Sequence, residues 1–496
     1  LRRKNVLHEI GVKDMQIQEA LRLALGLELK VEVAATSPDQ KVNSPLSIRT
    51  IASSRTSGVI YYGASVYDTN YDDVADPSLP PHPKGVALIP AVPVNKELHI
   101  AESASQSPSL PYFSRTNIEQ PVYELSQPAL RNAPTSLPAL TAYAYFSYHG
   151  AQIEIGSVVR SNDQPILFVP PGSISTSVKA LVVRNSQFET SLKIKVSPPN
   201  AEVKQISPTS SVALAAKTIN QKESQGTHQV RLHLAEGNRS ISDVRLAAVL
   251  PTGEEVTEGY RPIGYGDLPR TNYYTPATVR IVPVDLNLPT THRIAYLPGT
   301  GDAVPEALAS INLKPDILTV ADLTPAKLAQ YDTVILGVRT YAAHPDLHGA
   351  PTQALLDYAR NGGNVLVQYQ TTEFTAEDAP YPLSLGSNER VVDETDPVQL
   401  LDTKAPFLIT PNKITPADFN NWVEERGHGF LSSWDSHYTA LTETHDPDQD
   451  PQRGGLITTN IGKGRWTYCA FALYRQLPEA VPGAFRLFVN LLSPQH

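Results

Sequence analysis

The sequence predicts a multidomain chain, with antiparallel β-sandwich modules first and a doubly wound parallel α/β sheet last. Three observations carry that expectation. Proline outnumbers glycine, 43 residues to 28, which favours extended, loop-rich β architecture over long helices. Between residues 40 and 290 short apolar or alternating runs recur, separated by turn clusters and with almost no helical period. Past residue 291, strand-like and helix-like patterns alternate at the spacing of a parallel sheet. A length of 496 residues accommodates three or four domains, each with its own core. Hydrophobic residues make up 41% of the chain and charged ones only 18%, a balance that argues against disorder.

Residues 14–26 place Ile17, Ala20, Leu21, Ala24 and Leu25 on one helical face, with Gly26 as the stop. LELKVEV then alternates as a strand, so residues 1–39 read as a helix–strand lead-in. GVIYYGASVY, KGVALIPAV and TAYAYFSY read as strands of a β-sandwich over 40–165. VKALVVRN, TSLKIKVS, HQVRLHLAE and DVRLAAVLP resemble an immunoglobulin-type module over 166–290. The turn clusters DPSLPPHP, SPPNAE and AEGN separate them. Residues 291–496 form the α/β part. HRIAYLPG, DILTV, the nearly all-apolar YDTVILGV and NVLVQYQ are its first four strands. GDAVPEALASI and PTQALLDYARNGG are helices; the second turns Ala354, Leu355, Tyr358 and Ala359 inward and stops at Gly362 and Gly363. GRWTYCAFALY and PGAFRLFVNLL add a last strand and a closing helix.

The net charge of −9 argues against a nucleic-acid groove or an anionic membrane as main partner. No apolar run approaches the roughly 18 residues that span a bilayer, so a soluble chain is expected. The opening LRRKNVLHEIG lacks an apolar stretch after its basic residues and does not read as a signal peptide. Beginning at Leu1, with Met15 its single methionine, the chain reads as a piece of something longer. The single cysteine, Cys469, excludes an intrachain disulfide and leaves the compartment open.

LPGTGD puts Gly299 and Gly301 between a strand and a helix, where backbone N–H groups can hold an anion. Val304 occupies the third glycine position, so this is not a dinucleotide fingerprint, and a structural tight turn is the competing reading. At the carboxyl edge of the sheet this loop joins Asp302, Arg339, Gln368 and Arg475 in a candidate ligand crevice. Trp422, Arg426, Trp434 and Tyr438, close in sequence, form a candidate sugar-stacking surface, with core packing as the alternative. Asp446, Asp448 and Asp450, like Asp68, Asn70 and Asp72, have the spacing of a calcium loop. Both lack its glycine, with Pro451 and Asp73 in that position, so they read as solvated loops. Asn238-Arg239-Ser240 spells a glycosylation site and no more.

IAYLPGTGDAVPEAL, YDTVILGVRTY, YARNGGNVLVQY, RVVDETDPVQLL, PNKITPADFNNWVEERG and YRQLPEAVPGAFRLFVNLL together resemble the carboxy-terminal part of large bacterial LmbE-like (PIG-L) sugar de-N-acetylases. The likeness covers roughly residues 290–496 and is looser upstream, where PYFSR lies in the sandwich. The corresponding family domain is similar to class I glutamine amidotransferases, which implies a flavodoxin-like sheet. In the family a zinc-dependent deacetylase domain lies amino-terminal to all of this, and it is not found in the chain. The family's metal motif is His-Pro-Asp-Asp-Glu after the first strand of that domain. Here His344-Pro345-Asp346 is followed by Leu347 and His348 and comes after a third strand, so no metal ligands are expected. An amidotransferase needs a nucleophilic cysteine on the turn after a strand. NVLVQYQ reaches such a turn with Gln368, Tyr369 and Gln370; Thr371 and Thr372 have no paired base, and Cys469 sits inside an apolar strand.

The resemblance therefore implies the accessory, non-catalytic portion of a zinc-dependent de-N-acetylase acting on N-acetylglucosamine-type conjugates. Zinc would belong only to the missing catalytic domain, which would be the chain's natural partner. Scaffolding, substrate presentation or partner binding would be the role here. Large family members are often exported, which implies a periplasmic or secreted location, with the cytoplasm as alternative. Two rival readings remain: a stand-alone carbohydrate-binding or assembly protein, and a hydrolase with an unrecognised site around Arg339, Gln368, Glu373 and Arg475.

Overall fold

The structure, a computed structural model, describes residues 2–33, 37–68, 84–100, 107–115, 120–184, 189–205, 221–224, 226–233, 241–264, 267–289, 293–386 and 389–493. The Asn70 and Asp72 pair and the Asn238-Arg239-Ser240 tripeptide lie outside them. The chain is mostly β, in many small sheets. It divides into two compact units: Leu1–Thr116, Gln120–Ser173 and Glu258–Thr275 form the first, and Asn117–Glu119, Ile174–Thr257 and Pro276–His496 the second.

The first unit is a β-sandwich. Glu28–Val33, Leu46–Ser53 and Val94–Ile100 pair antiparallel in one sheet, and Val59–Asp68, Leu140–Tyr148 and Ala151–Val158 in the other. Alternation drives the assembly, because every second residue of Leu46–Ser53 is buried. Ile48 and Leu98 of one sheet share a core with Val66 and Ala142 of the other. KGVALIPAV contributes only the two-residue strand Val86–Ala87. The first helix is longer than its apolar pattern suggests and runs Arg2–Leu25. Gly26, at φ 60°, ends it, and the Leu27 N–H returns to the Arg22 carbonyl at 2.9 Å. Its carboxy-terminal part packs: Leu25 is buried, Leu21 lies against the same core and Gln18 accepts from the Glu154 N–H at 3.1 Å, whereas Ile17 stays 59% exposed.

Two expected boundaries move. The sandwich continues past residue 165 to Ser173, because Leu167–Val169 pairs in parallel with Asp39–Lys41. The segment Glu258–Thr275, expected inside the second sandwich, belongs to the first unit. It is held there by an Arg270–Asp39 ion pair at 2.7 Å and a Tyr274 hydroxyl donating to the Phe168 carbonyl at 3.5 Å.

The second unit begins with another sandwich. Leu192, Ile194, Val230 and Leu232 on one side meet Leu181, Leu246, Val279 and Ile281 on the other. Ala180–Arg184 is apolar on both faces. Leu181 and Val183 point into that sandwich, while Val182 joins Val282, Val284 and Leu286 in the core of the α/β part. That part is built on a seven-stranded sheet. Its five parallel strands, in chain order, are Ile294–Leu297, Asp316–Ile317, Thr333–Leu336, Asn364–Gln368 and Gly464–Cys469. They lie side by side in the order second, first, third, fourth, fifth. Leu456–Ile461 and Thr439–Ala440 extend the sheet antiparallel beyond the fifth. The helices Val304–Ser310, Ala350–Arg360 and Pro482–Leu492 fall where helical periodicity predicts them.

Candidate functional site

The third parallel strand, Thr333–Leu336, is buried at every position. It leaves the sheet through Gly337 and Val338 and turns at Arg339, whose φ of 54° and ψ of 39° are left-handed, into the short helix Thr340–Ala343. A non-glycine residue in that region costs about 1–3 kcal/mol and persists only where its surroundings hold it. Here they hold it from both sides. The Arg339 N–H donates to the Tyr369 carbonyl at 2.8 Å. The fully buried Gln370 amide donates to the Gly337 carbonyl at 3.0 Å and accepts from the Tyr341 N–H at 3.2 Å. The turn is thus a sharp strand-to-helix elbow of the kind that displays a nucleophile in hydrolases, and it displays a guanidinium. The Arg339 side chain is exposed.

The neighbouring loop explains its own glycine. A Cβ on Gly299 would lie 1.9 Å from the Val338 carbonyl oxygen, so the loop after Ile294–Leu297 can pass the elbow only without a side chain there. Asp302 is turned inward. It accepts from the Tyr296 hydroxyl at 2.6 and 2.5 Å, the Val304 N–H at 3.0 Å and the Val338 N–H at 3.4 Å. Burial, reinforced by that carboxylate, drives the Tyr296 phenol far up. Gln368 also points inward, buried at 2% exposure, with its amide 3.5 Å from the Tyr296 hydroxyl. Of the six residues expected in the crevice, Gly299, Asp302 and Gln368 therefore serve the scaffold. Gly301, at φ 103°, has open space around it. Arg339 and Arg475 reach the outer face, with Arg475 paired to Glu424 and, at 2.9 Å, to Glu425.

What these arginines meet there is a stack of rings. Tyr369 lies between His428, at 5.0 Å and 14°, and Tyr474, at 6.3 Å and 19°. Arg475 sits over Tyr474 at 5.3 Å, and the Tyr474 hydroxyl donates to Glu425 at 3.2 Å. Burial pushes Tyr474 up to about 12, with the Glu425 charge adding to it. Burial lowers His428, against the pull of Glu425 and together with Arg390, Arg339 and Arg475, which favours its uncharged form. His428 escapes sequence reasoning because its strand, Gly427–His428, is two residues long. The signal was the flanking glycines. A Cβ on Gly427 would lie 2.5 Å from the Ala470 carbonyl, and one on Gly429 2.6 Å from that of Gln370.

The expected sugar-stacking surface does not assemble. Trp422 is 4% exposed, packed on Phe419 and Phe471, with its indole N–H donating to the Asp418 carbonyl at 3.0 Å. Arg426 is 2% exposed and donates to the carbonyls of Asp396 and Phe419; burial lowers it to about 10. Tyr438 is buried against Trp466 and donates to the Tyr381 carbonyl at 2.9 Å. Only Trp434, paired across strands with Leu383, is partly exposed. All four were drawn together in sequence by what is mainly a core.

The remaining polar motifs are engaged locally. His344 bonds the Pro298 carbonyl at 2.9 Å, and His348 bonds Asp378 at 2.8 Å. Among the described residues no three His, Cys, Asp or Glu side chains converge as metal ligands, so these residues do not fit a zinc ion. Asp446 holds the Val392 and Asp393 N–H groups at 2.8 Å each. Cys469 is fully buried and its thiol is pushed up to about 12. The elbow edge thus offers cations, an imidazole and stacked phenols, with no thiol at the turn and the Thr340 hydroxyl buried and donating to the Gly337 carbonyl.

No protein-family model matches the chain, and no curated protein matches it. Among solved structures, it is similar to a cold-adapted β-galactosidase from Rahnella sp. R3 at 13% identity and a TM-score of 0.22, over 38% of this chain and 29% of that one. An exo-β-1,4-mannosidase from Opitutaceae bacterium strain TAV5 is similar at 12% identity and 0.25, over 40% and 35%. The I9–I11 tandem of titin is similar at 9% identity and 0.15, over 54% and 72%. The chain spans about a third of the length of the two glycosidases.

Proposed function

We propose that the chain is the accessory, non-catalytic portion of a zinc-dependent LmbE-like sugar de-N-acetylase, ending in an amidotransferase-like domain that has lost its chemistry. The elbow carries this reading. Arg339 stands in the strained turn where an acyl-transferring enzyme of this architecture would place its nucleophile. The strand order second, first, third, fourth, fifth supports a flavodoxin-like sheet, since that is the order of the doubly wound flavodoxin pattern. The sandwich built from residues 174–257 and 276–284 supports an immunoglobulin-like module in the same way. Zinc chemistry would belong to a separate catalytic domain, because His344 and His348 are each bonded elsewhere.

The test is an assay of the purified chain with zinc, on N-acetylglucosamine oligosaccharides and on glutamine. It should release neither acetate nor ammonia, and should bind a zinc deacetylase domain from the same genome. Acetate release abolished by His344→Ala or His348→Ala would overturn the reading. So would failure to bind any such domain. That second result would favour the rival reading of a stand-alone carbohydrate-binding protein, which a cavity in the first unit supports.

A further inference from the structure

We propose that the first unit carries a binding site for an uncharged oligosaccharide, in a cavity of about 780 Å³. The inference uses the first unit alone and holds whether or not the chain serves a deacetylase. Its walls come chiefly from 107–113, 134–139, 165–168 and, in the Glu258–Thr275 segment, from 263–264 and 268–271. Its volume lies within the range of small-molecule sites, roughly 300–1,000 Å³.

The lining decides the chemistry of the occupant. Six prolines contribute to it: Pro108, Pro111, Pro134, Pro138, Pro165 and Pro269. A proline has no N–H, so at these six positions the backbone can offer a carbonyl oxygen but no donor. They match a ligand rich in hydroxyl or amide donors. Charge adds the second constraint. Arg270 is neutralised by Asp39 at 2.7 Å, which leaves Arg160 and Asp68, one of each sign. Arg160 is already donating to the Asp163 carbonyl at 2.8 Å, and Asp68 has a partner of its own. No net charge remains to recognise an ionised ligand.

Apolar surface supplies the third constraint. Leu110, Leu137 and Leu268 line the cavity yet are 58%, 38% and 54% exposed. Exposed large hydrophobics that converge on one place mark a contact site rather than a random surface. Beside them Tyr112 and Phe113 meet edge to face at 5.2 Å, and Phe113 and Tyr123 at 5.4 Å. Tyr112 and Phe113 also line a second recess, with Tyr123 and Val122. A sugar ring combines these demands: hydroxyl donors on its rim, an apolar C–H face for the leucines and phenyl rings, and no charge. The walls are set in advance. The Tyr112 hydroxyl donates to the Ala133 carbonyl at 2.8 Å, the Tyr112 N–H to Ser136 Oγ at 3.0 Å, and the Phe168 N–H to Ser109 Oγ at 2.9 Å. Little ordering cost is left for the ligand to meet.

The experiment is calorimetric titration of the whole chain with cellohexaose, mannohexaose and chitohexaose, with oligogalacturonate as the charged counterpart and a fatty-acid micelle as the purely apolar one. At least one neutral hexasaccharide should bind. Leu110→Asp and Leu268→Asp, both at exposed positions that line the cavity, should each weaken it by about tenfold with the melting temperature unchanged. Binding of the charged oligosaccharide or the micelle in preference to all three neutral ones would overturn the assignment. Heat unaltered by either substitution, or no binding to any neutral hexasaccharide, would do so as well.

Discussion

Arg339 and Gln370 show how one residue's strain becomes another's purpose. The left-handed turn is held because Gln370 spends both ends of its amide on the backbone flanking it. Replacing Gln370 with alanine leaves the buried Tyr341 N–H without its acceptor and the Gly337 carbonyl with the Thr340 hydroxyl alone, and should cost about 1–3 kcal/mol in chemical denaturation. Arg339→Gly should stay within about 1 kcal/mol of the parent, while the β-branched Arg339→Val should lose about 1–3. Equal stability of the glycine and valine variants would mean the turn is not strained. His428 gives a pH signature. Burial lowers its folded value, so as pH falls through the ordinary imidazole value near ~6.5 the unfolded chain takes the proton first. Its contribution is fully present above that value and is lost as pH falls through the folded one. Melting curves of the parent and of His428→Gln should therefore converge, or cross, between neutral and acidic pH, and a constant difference would refute the assignment. None of this was legible beforehand. Sequence placed the sharp turn at Gln368–Gln370, one strand too late, because nothing in the letters GVRTY announces a positive φ where no glycine stands. Gln368 looked like an edge residue, but the direction of a strand's last side chain depends on where the strand ends.

At the scale of elements the reading was most secure where period and burial agree. Ala350–Arg360 buries Leu355, Tyr358 and Ala359 as its pattern requires, and Pro482–Leu492 is apolar nearly throughout because it is buried nearly throughout. The exception within that helix is its most informative residue. Asn490 is fully buried; it accepts from the Asn412 N–H at 3.0 Å and donates to the carbonyls of Phe407 and Asn412 at 2.8 and 2.6 Å. Asn412 in turn holds Asn287, donating to its carbonyl at 3.0 Å and accepting from its N–H at 2.9 Å. Helix, loop and inter-module strand end are thus joined through two amides. Asn490→Leu, close in size and better suited to an apolar helix, should still destabilise by about 2–3 kcal/mol, because it leaves three backbone partners unpaired. A neutral result in urea denaturation would show that those groups find other partners. The first helix errs in the opposite direction. Of the apolar face Ile17, Ala20, Leu21, Ala24 and Leu25, Leu25 is buried and Leu21 half-buried, while Ile17, Ala20 and Ala24 are exposed; a pattern reports what a helix could bury, not how much of it meets a sheet.

For the whole molecule, the change of character at residue 291 was legible, but it marks a change of secondary structure and not a break in packing. The reason lies in strands that are apolar on both faces. VKALVVRN reads equally well as an edge of one sandwich or as a strand between two cores, because period-two alternation vanishes when both faces are buried. In the structure Leu181 and Val183 serve the sandwich while Val182, with Val282, Val284 and Leu286, closes the core of the α/β part. Arg486 adds a bond to the Asp285 carbonyl at 2.8 Å, and Lys179 pairs with Glu479 at 3.6 Å. Each of the four apolar side chains is worth about 1.5–3 kcal/mol when covered, a sum comparable with the whole stability of a domain. Residues 291–496 expressed alone should therefore melt well below the corresponding transition of the full chain and bind a hydrophobic dye at the surface those side chains leave bare. In the full chain, Val182→Asp should reproduce both effects, since it places a charge in that interface without touching the sandwich core. If the fragment instead melts where the full chain does and binds no dye, the α/β part folds by itself, and the sandwich before it is an attachment rather than part of its core.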